Sequence, residues 1–162
     1  MVDYQLPEAI KEIQSKIDVN ALYVKESPKS GFPFGLEKEP HVSVARLRNT
    51  VKLDNLKPLL CPLEQYKLEL TSLSVFPNKY FDVLKCDIIC KTLYDTHTVI
   101  LEQYANNSCF DEFNPHITVA YLKKGKGQEY EKLAFPGPII MEPEHFVFGH
   151  YVNDEYVREI FQ

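Results

Sequence analysis

Tryptophan is absent from the 162 residues, and methionine (2) and glycine (6) are scarce. Any flat stacking surface for a ligand must therefore come from the 10 phenylalanines and 10 tyrosines. No apolar run approaches the ~18 residues that a membrane span requires. The opening Met1-Val2-Asp3-Tyr4 lacks the basic-then-apolar pattern of a secretory signal, so a cytoplasmic protein is expected. A basic excess is missing as well: 18 Lys and Arg against 23 Asp and Glu leave a net charge of −5. Long nucleic acid is held largely through its phosphates by a basic surface, so this balance argues against long DNA or RNA as a partner. A small anion in a local pocket remains allowed, because close contacts decide its binding. Metal-binding C-x-x-C spacing is absent too. Cys86 and Cys90 lie four apart in an apparent strand, a poor geometry for a disulfide, and all four cysteines (Cys61, Cys86, Cys90, Cys109) are expected as free thiols.

What the chain does have is a repeat. Pro40-His41-Val42-Ser43-Val44 and Pro115-His116-Ile117-Thr118-Val119 each place a hydroxyl two residues after a histidine, among β-branched residues. Such runs read as strands. Side chains at i and i+2 share a face of a strand, so His41 projects beside Ser43 and His116 beside Thr118. Cleaving a phosphodiester needs one group to deprotonate a nucleophile and another to protonate the leaving oxygen. Histidine serves either role near neutrality. The hydroxyls of Ser43 and Thr118 are suited to donating to non-bridging oxygens as charge develops.

Around these motifs the length suits one domain, residues 1–162, or two small lobes sharing a core. Leu6, Ile10, Ile13 and Ile17 predict a helix over about 7–17. Residues 21–25 read as a short strand, and 27–40, rich in proline and glycine, as a loop entering the strand at 41–47. Leu53, Leu56, Leu59 and Leu60 predict a helix interrupted near Pro58 and ended by Pro62; strands at 67–76 and 81–90 forming a hairpin, and a helix about 93–104, follow. A polar loop near 106–114 precedes the second histidine strand at 115–123. A short helix near 128–133 and a closing hairpin of 144–151 with 156–161, turning at Asn153-Asp154, complete the chain. Short elements with many turns predict an α+β fold of antiparallel sheets flanked by helices.

Glu39-Pro40-His41-Val42-Ser43-Val44, Ser74-Val75-Phe76-Pro77-Asn78 with Tyr80–Asp87, and Phe113–Gly125 together resemble the 2H phosphoesterase superfamily. More closely they resemble 2H domains encoded by bacteriophages, including the anti-CBASS nucleases that degrade cyclic oligonucleotide alarms of bacterial immunity. The resemblance covers about residues 20–150 and is strongest around His116. It implies a LigT-like fold of two pseudo-symmetric lobes around a central cleft lined by His41, Ser43, His116 and Thr118, with no metal or other cofactor. For the cyclic-nucleotide branch, it implies a ribose 2′-hydroxyl attacking the adjacent phosphate, with one histidine as base and the other as acid. Ser43 stands where threonine is commoner, and Ala45-Arg46 where relatives often carry a bulkier or aromatic pair, which leaves substrate choice open. A 2′,3′-cyclic phosphodiesterase acting on RNA ends and a non-catalytic nucleotide-sequestering protein are the alternatives.

Beyond the repeat, Tyr4, Tyr23, Phe76 and Tyr80 lie in segments that can border a cleft, where base stacking contributes ~1–3 kcal/mol per ring. Phe76, at a strand end, and Tyr4, on a mobile terminus, are the preferred stackers, and Tyr80 joins them as a substrate-binding candidate. Glu144 is placed to accept hydrogen bonds from a base edge. His97 falls on the apolar stripe of its helix and reads as a buried structural histidine. His145 and His150 lack a hydroxyl at i+2. Lys123, Lys124 and Lys126 read as a solvated turn.

Overall fold

The computed structural model describes residues 1–24, 34–47, 51–60, 67–104, 112–152 and 155–161. Cys61, Cys109, the Asn153-Asp154 turn and the side chain of His150 lie outside the described parts. The elements run β1 (Val2–Tyr4), α1 (Glu8–Ser15), β2 (His41–Val42), α2 (Leu53–Leu60), β3 (Leu68–Pro77), β4 (Phe81–Ile89) and α3 (Lys91–Tyr104). Then come β5 (His116–Lys123), α4 (Gly127–Glu131), β6 (Ile139–Met141), β7 (Pro143–Val152) and β8 (Glu155–Phe161). The fold is α+β. One antiparallel sheet has the order β2-β1-β7-β8, and the other β5-β4-β3-β6. Among the described residues no helix is long and apolar enough to cross a membrane.

Both sheets contribute to one apolar cluster. Val2, Val42 and Phe146 enter from the first sheet, Leu68, Leu70, Leu84, Ile117 and Leu122 from the second, and Ile10, Ile13, Leu93 and Ile100 from α1 and α3. The 3.6-residue period of α1 and α3 and the alternation of β3, β4 and β5 predict these placements. Cys86 and Cys90 are buried free thiols. Burial, with Asp87 nearby, pushes the Cys86 thiol up to about 12.

Several expectations change. The strand at 21–25 is a 3-10 turn at Val19–Ala21 followed by a single bridge, Leu22 with Leu122. The strand at 41–47 keeps ladder pairing only at His41–Val42, because its partner β1 is three residues long. Alternation nevertheless continues, with Val42 and Val44 buried and His41 and Ser43 half-buried. Strands β1 and β6 are additions, each too short to show a period.

Asp82 ties β4 to the turn after β5. It is 4% exposed and accepts from the backbone N–H groups of Gly125 (2.8 Å) and Gly127 (3.0 Å) and from Lys124 Nζ (3.1 Å). Burial opposes its charge, but these donors outweigh burial and hold its carboxyl below the ordinary value of 3.8. Gly127 is required here because a Cβ would stand 2.6 Å from Val75 Cγ1. Asp82→Asn leaves fewer acceptors for these N–H groups and is expected to destabilise the fold by about 2 kcal/mol, read from urea denaturation. Because the folded carboxyl is the stronger acid, its contribution is fully present above the unfolded pKa and is lost as pH falls through the folded one. The wild-type advantage over the variant therefore shrinks below about pH 4.

Candidate active site

Strands β2 and β5 are edge strands of different sheets, and their Cα atoms approach within 8 Å. That contact brings the two histidine motifs together. The two imidazoles share a device: His41 Nδ1 lies 3.0 Å from the Glu39 carbonyl, and His116 Nδ1 lies 2.7 Å from the Asn114 carbonyl. A carbonyl only accepts, so Nδ1 carries the proton and donates in both. The neutral ring then keeps its lone pair on Nε2, the nitrogen that exchanges protons.

The register of the second sheet sets what surrounds His116. Residues directly opposite in a ladder share a face. One row across β3, β4 and β5 reads Ser72, Asp87, His116, the next Ser74, Lys85, Thr118, and the third Phe76, Val83, Tyr121. Two irregularities make this grid. The β4–β5 pairing skips Val119, and the β3–β4 pairing skips Thr71. The bulge at Val119 rotates Tyr121 onto the face of His116 and Thr118, where the Thr118 hydroxyl hydrogen-bonds its phenol. Burial and then the Glu37 carboxylate push the Tyr121 phenol above its ordinary value. From α1, Gln14 Nε2 donates to the Val119 carbonyl at 2.9 Å and to the Glu37 carbonyl at 2.7 Å, which holds the bulge against β5's outer neighbours.

Beneath His116 lies a polar pair that the spacing of the sequence does not single out. Lys85, whose side chain is 5% exposed, bonds to Asp87, and Asp87 also accepts from Ser72 (3.1 Å) and Ser74 (2.8 Å). Burial works against the Asp87 charge, but Lys85 and the two hydroxyls hold its carboxyl below the ordinary value. His116 is shifted downward by burial first, with Lys85 and His41 adding to the shift while the Asn114 carbonyl and Asp87 oppose it. The signal for Lys85 and Asp87 is the period-2 pattern Val83-x-Lys85-x-Asp87, which is indistinguishable from a solvated strand face until the register is known.

The first sheet mirrors this arrangement. Asp3 lies directly across from His41 and, on its other side, from His145. Its carboxylate accepts from Arg158 Nη2 (2.6 Å) and meets His145 Nε2 (3.1 Å), while Arg158 Nη1 reaches Glu39 at 2.5 Å.

The remaining candidates are dispersed. Tyr4 is corrected: it is not on a mobile terminus but in β1, 5% exposed within the core, and so presents no open ring face. Phe76 is 53% exposed and stands on the His116 face. Tyr80 is 63% exposed at the β3–β4 tip, about 20 Å along the strand from His116 at ~3.3 Å per residue. Glu144 is exposed at an irregularity between β1 and β7. Tyr23 packs with Phe34 (5.2 Å between ring centroids) and Phe81 (5.1 Å), which in turn contact Tyr121. Among the described residues no group of three His, Cys, Asp or Glu side chains is placed to share a metal ion.

No protein-family model and no curated protein matches the chain. Among solved structures it is similar to one titled as a crystal structure of a phosphoesterase, with a TM-score of 0.53 at 18% identity, over 99% of this chain and 93% of that one. The chain has a phosphoesterase fold.

In this phosphoesterase fold His97 joins the two histidine segments. It is buried on α3, its Nδ1 lies 2.7 Å from the Val44 carbonyl, and its ring stacks on Phe113 at 3.8 Å. Val44 follows Ser43, and Phe113 precedes the His116 motif. His97→Ala is expected to cost about 3 kcal/mol of stability, measured by chemical denaturation. A loss under 0.5 kcal/mol would show that this bridge holds nothing.

Proposed function

We propose that the protein is a phosphodiesterase that cleaves small cyclic nucleotides or oligonucleotides by proton transfer through His41 and His116. The observation that carries this is the duplicated Nδ1-to-carbonyl bond, which readies both imidazoles on abutting edge strands. The phosphoesterase fold supports the class of reaction. In the proposed step a ribose 2′-oxygen bonds to phosphorus as the bond from phosphorus to the leaving ribose oxygen breaks. One histidine takes the 2′-hydroxyl proton and the other gives a proton to the leaving oxygen. The product is a linear oligonucleotide ending in a 2′,3′-cyclic phosphate or its hydrolysed form. Thr118 and Ser43 donate to the non-bridging oxygens, and Phe76 offers an exposed ring to a base. Both proton transfers are assigned to side chains, so the reaction needs no metal. The resemblance to phage-encoded 2H domains extends the substrate to cyclic oligonucleotide signals of bacterial immunity.

The test is purified protein with EDTA and a panel of cyclic di- and trinucleotides beside 2′,3′-cyclic nucleotides. Cleavage of the cyclic oligonucleotides is expected, with His41→Ala and His116→Ala each lowering kcat by roughly 10²–10⁴. Turnover confined to 2′,3′-cyclic nucleotides would move the assignment to RNA-end processing. Binding without turnover, unchanged in both variants, would make the protein a nucleotide sequesterer.

A further inference from the structure

We propose that Lys85 and Asp87 are positioning residues for His116, as Arg158 and Asp3 are for His41, and that a buried ammonium in one lobe against a more accessible guanidinium in the other makes the two histidines unequal partners in proton transfer. Each histidine has the same three neighbours: a carbonyl two residues upstream, an aspartate directly across the ladder, and a cation bound to that aspartate. Directly opposed side chains stand about 4.5–5.5 Å apart at Cβ, close enough for each carboxylate to act on the imidazole beside it. The symmetry breaks at the cation. The Lys85 side chain is 5% exposed and that of Arg158 is 24% exposed. Water screens a charge less the deeper it is buried, so the Lys85 charge is screened less than that of Arg158.

The charged groups acting on His116 are Lys85 and Asp87 from β4 and His41 from β2. Lys85 and His41 disfavour a second positive charge, and Asp87 favours it. Burial is the largest influence, and with Lys85 and His41 it outweighs the Asn114 carbonyl and Asp87, so the balance shifts His116 below the ordinary histidine value. On the function proposed above, that makes His116 the base and His41 the acid. Once His116 has taken its proton, Asp87 stabilises the imidazolium. Lys85 thus adds to burial in favouring the neutral ring, and Asp87 favours the imidazolium that proton transfer creates.

The test is an NMR titration of the histidine ring signals in the full chain, for wild type, Lys85→Met and Asp87→Asn, alongside the pH profile of phosphodiester cleavage. His116 in the wild type is expected to titrate below the ordinary 6.5. Lys85→Met should move its midpoint and the acidic limb of kcat/KM to higher pH, and Asp87→Asn should move both to lower pH. His145, in the other sheet, should keep its midpoint in both variants. Equal midpoints in all three proteins, or shifts of one sign in both variants, would overturn the proposal. If neither variant folds, the wild-type spectrum still decides, because a His116 midpoint at or above 6.5 contradicts it. The titration reads the same whether or not any phosphodiester is cleaved, so failure of the assigned activity and failure of this pair are separable.

Discussion

The site depends on two edge strands from different sheets running side by side. An edge strand carries unpaired backbone groups and is normally shielded from other chains. Here β5 is paired on its inner side by β4, and on its outer side it accepts from the N–H groups of Tyr23 and Glu37 and donates to the Gly35 carbonyl. The outer neighbours are irregular chain, not a strand, and so leave room for β2 to approach. Two sheets that meet without merging bring the two histidine strands close to each other along a seam.

What fixes that seam is a small number of polar contacts reaching across a large apolar cluster. Hydrophobic burial of Val42, Val44, Ile117 and Leu122 is strong but non-directional, and it tolerates small slips of one sheet against the other. Directional bonds do not. Gln14 holds the Val119 carbonyl, His97 joins Val44 to Phe113, and Arg158 clamps Glu39 to Asp3. Each lies within a few residues of a histidine motif. The core therefore supplies the stability, and these bonds fix the placement of the two histidine segments.

Legibility from sequence followed the length of the pattern. The eight to ten residues of β3, β4 and β5 and the 14 of α3 show their periods clearly. The repeat His-x-Ser and His-x-Thr was visible because both halves of the site are written locally. Three-residue strands such as β1 carry no period, and so Tyr4 read as a loose terminus when pairing with β2 and β7 buries it. Bulges are silent as well: strict alternation would put Ala120, not Tyr121, beside Thr118. Lys85 and Asp87 were hidden for a different reason. A charged residue at every second position is what a solvated strand face looks like, and only the ladder register shows that this face turns toward His116.

The matched aspartates bear on why such costly groups are kept at the seam. A buried Lys–Asp pair contributes little to stability, since desolvation offsets most of the Coulomb attraction. Two serine hydroxyls from β3 complete the shell around Asp87, so the pair is satisfied without being needed for the core. Lys85 is buried in a row flanked by the hydroxyl residues Ser74 and Thr118. Besides neutralising Asp87, its charge acts on a titrating neighbour. The imidazole two residues along the same face, on the adjacent strand, is that neighbour. The second sheet thus holds a charge arrangement that bears on His116, the residue to which we assign proton transfer.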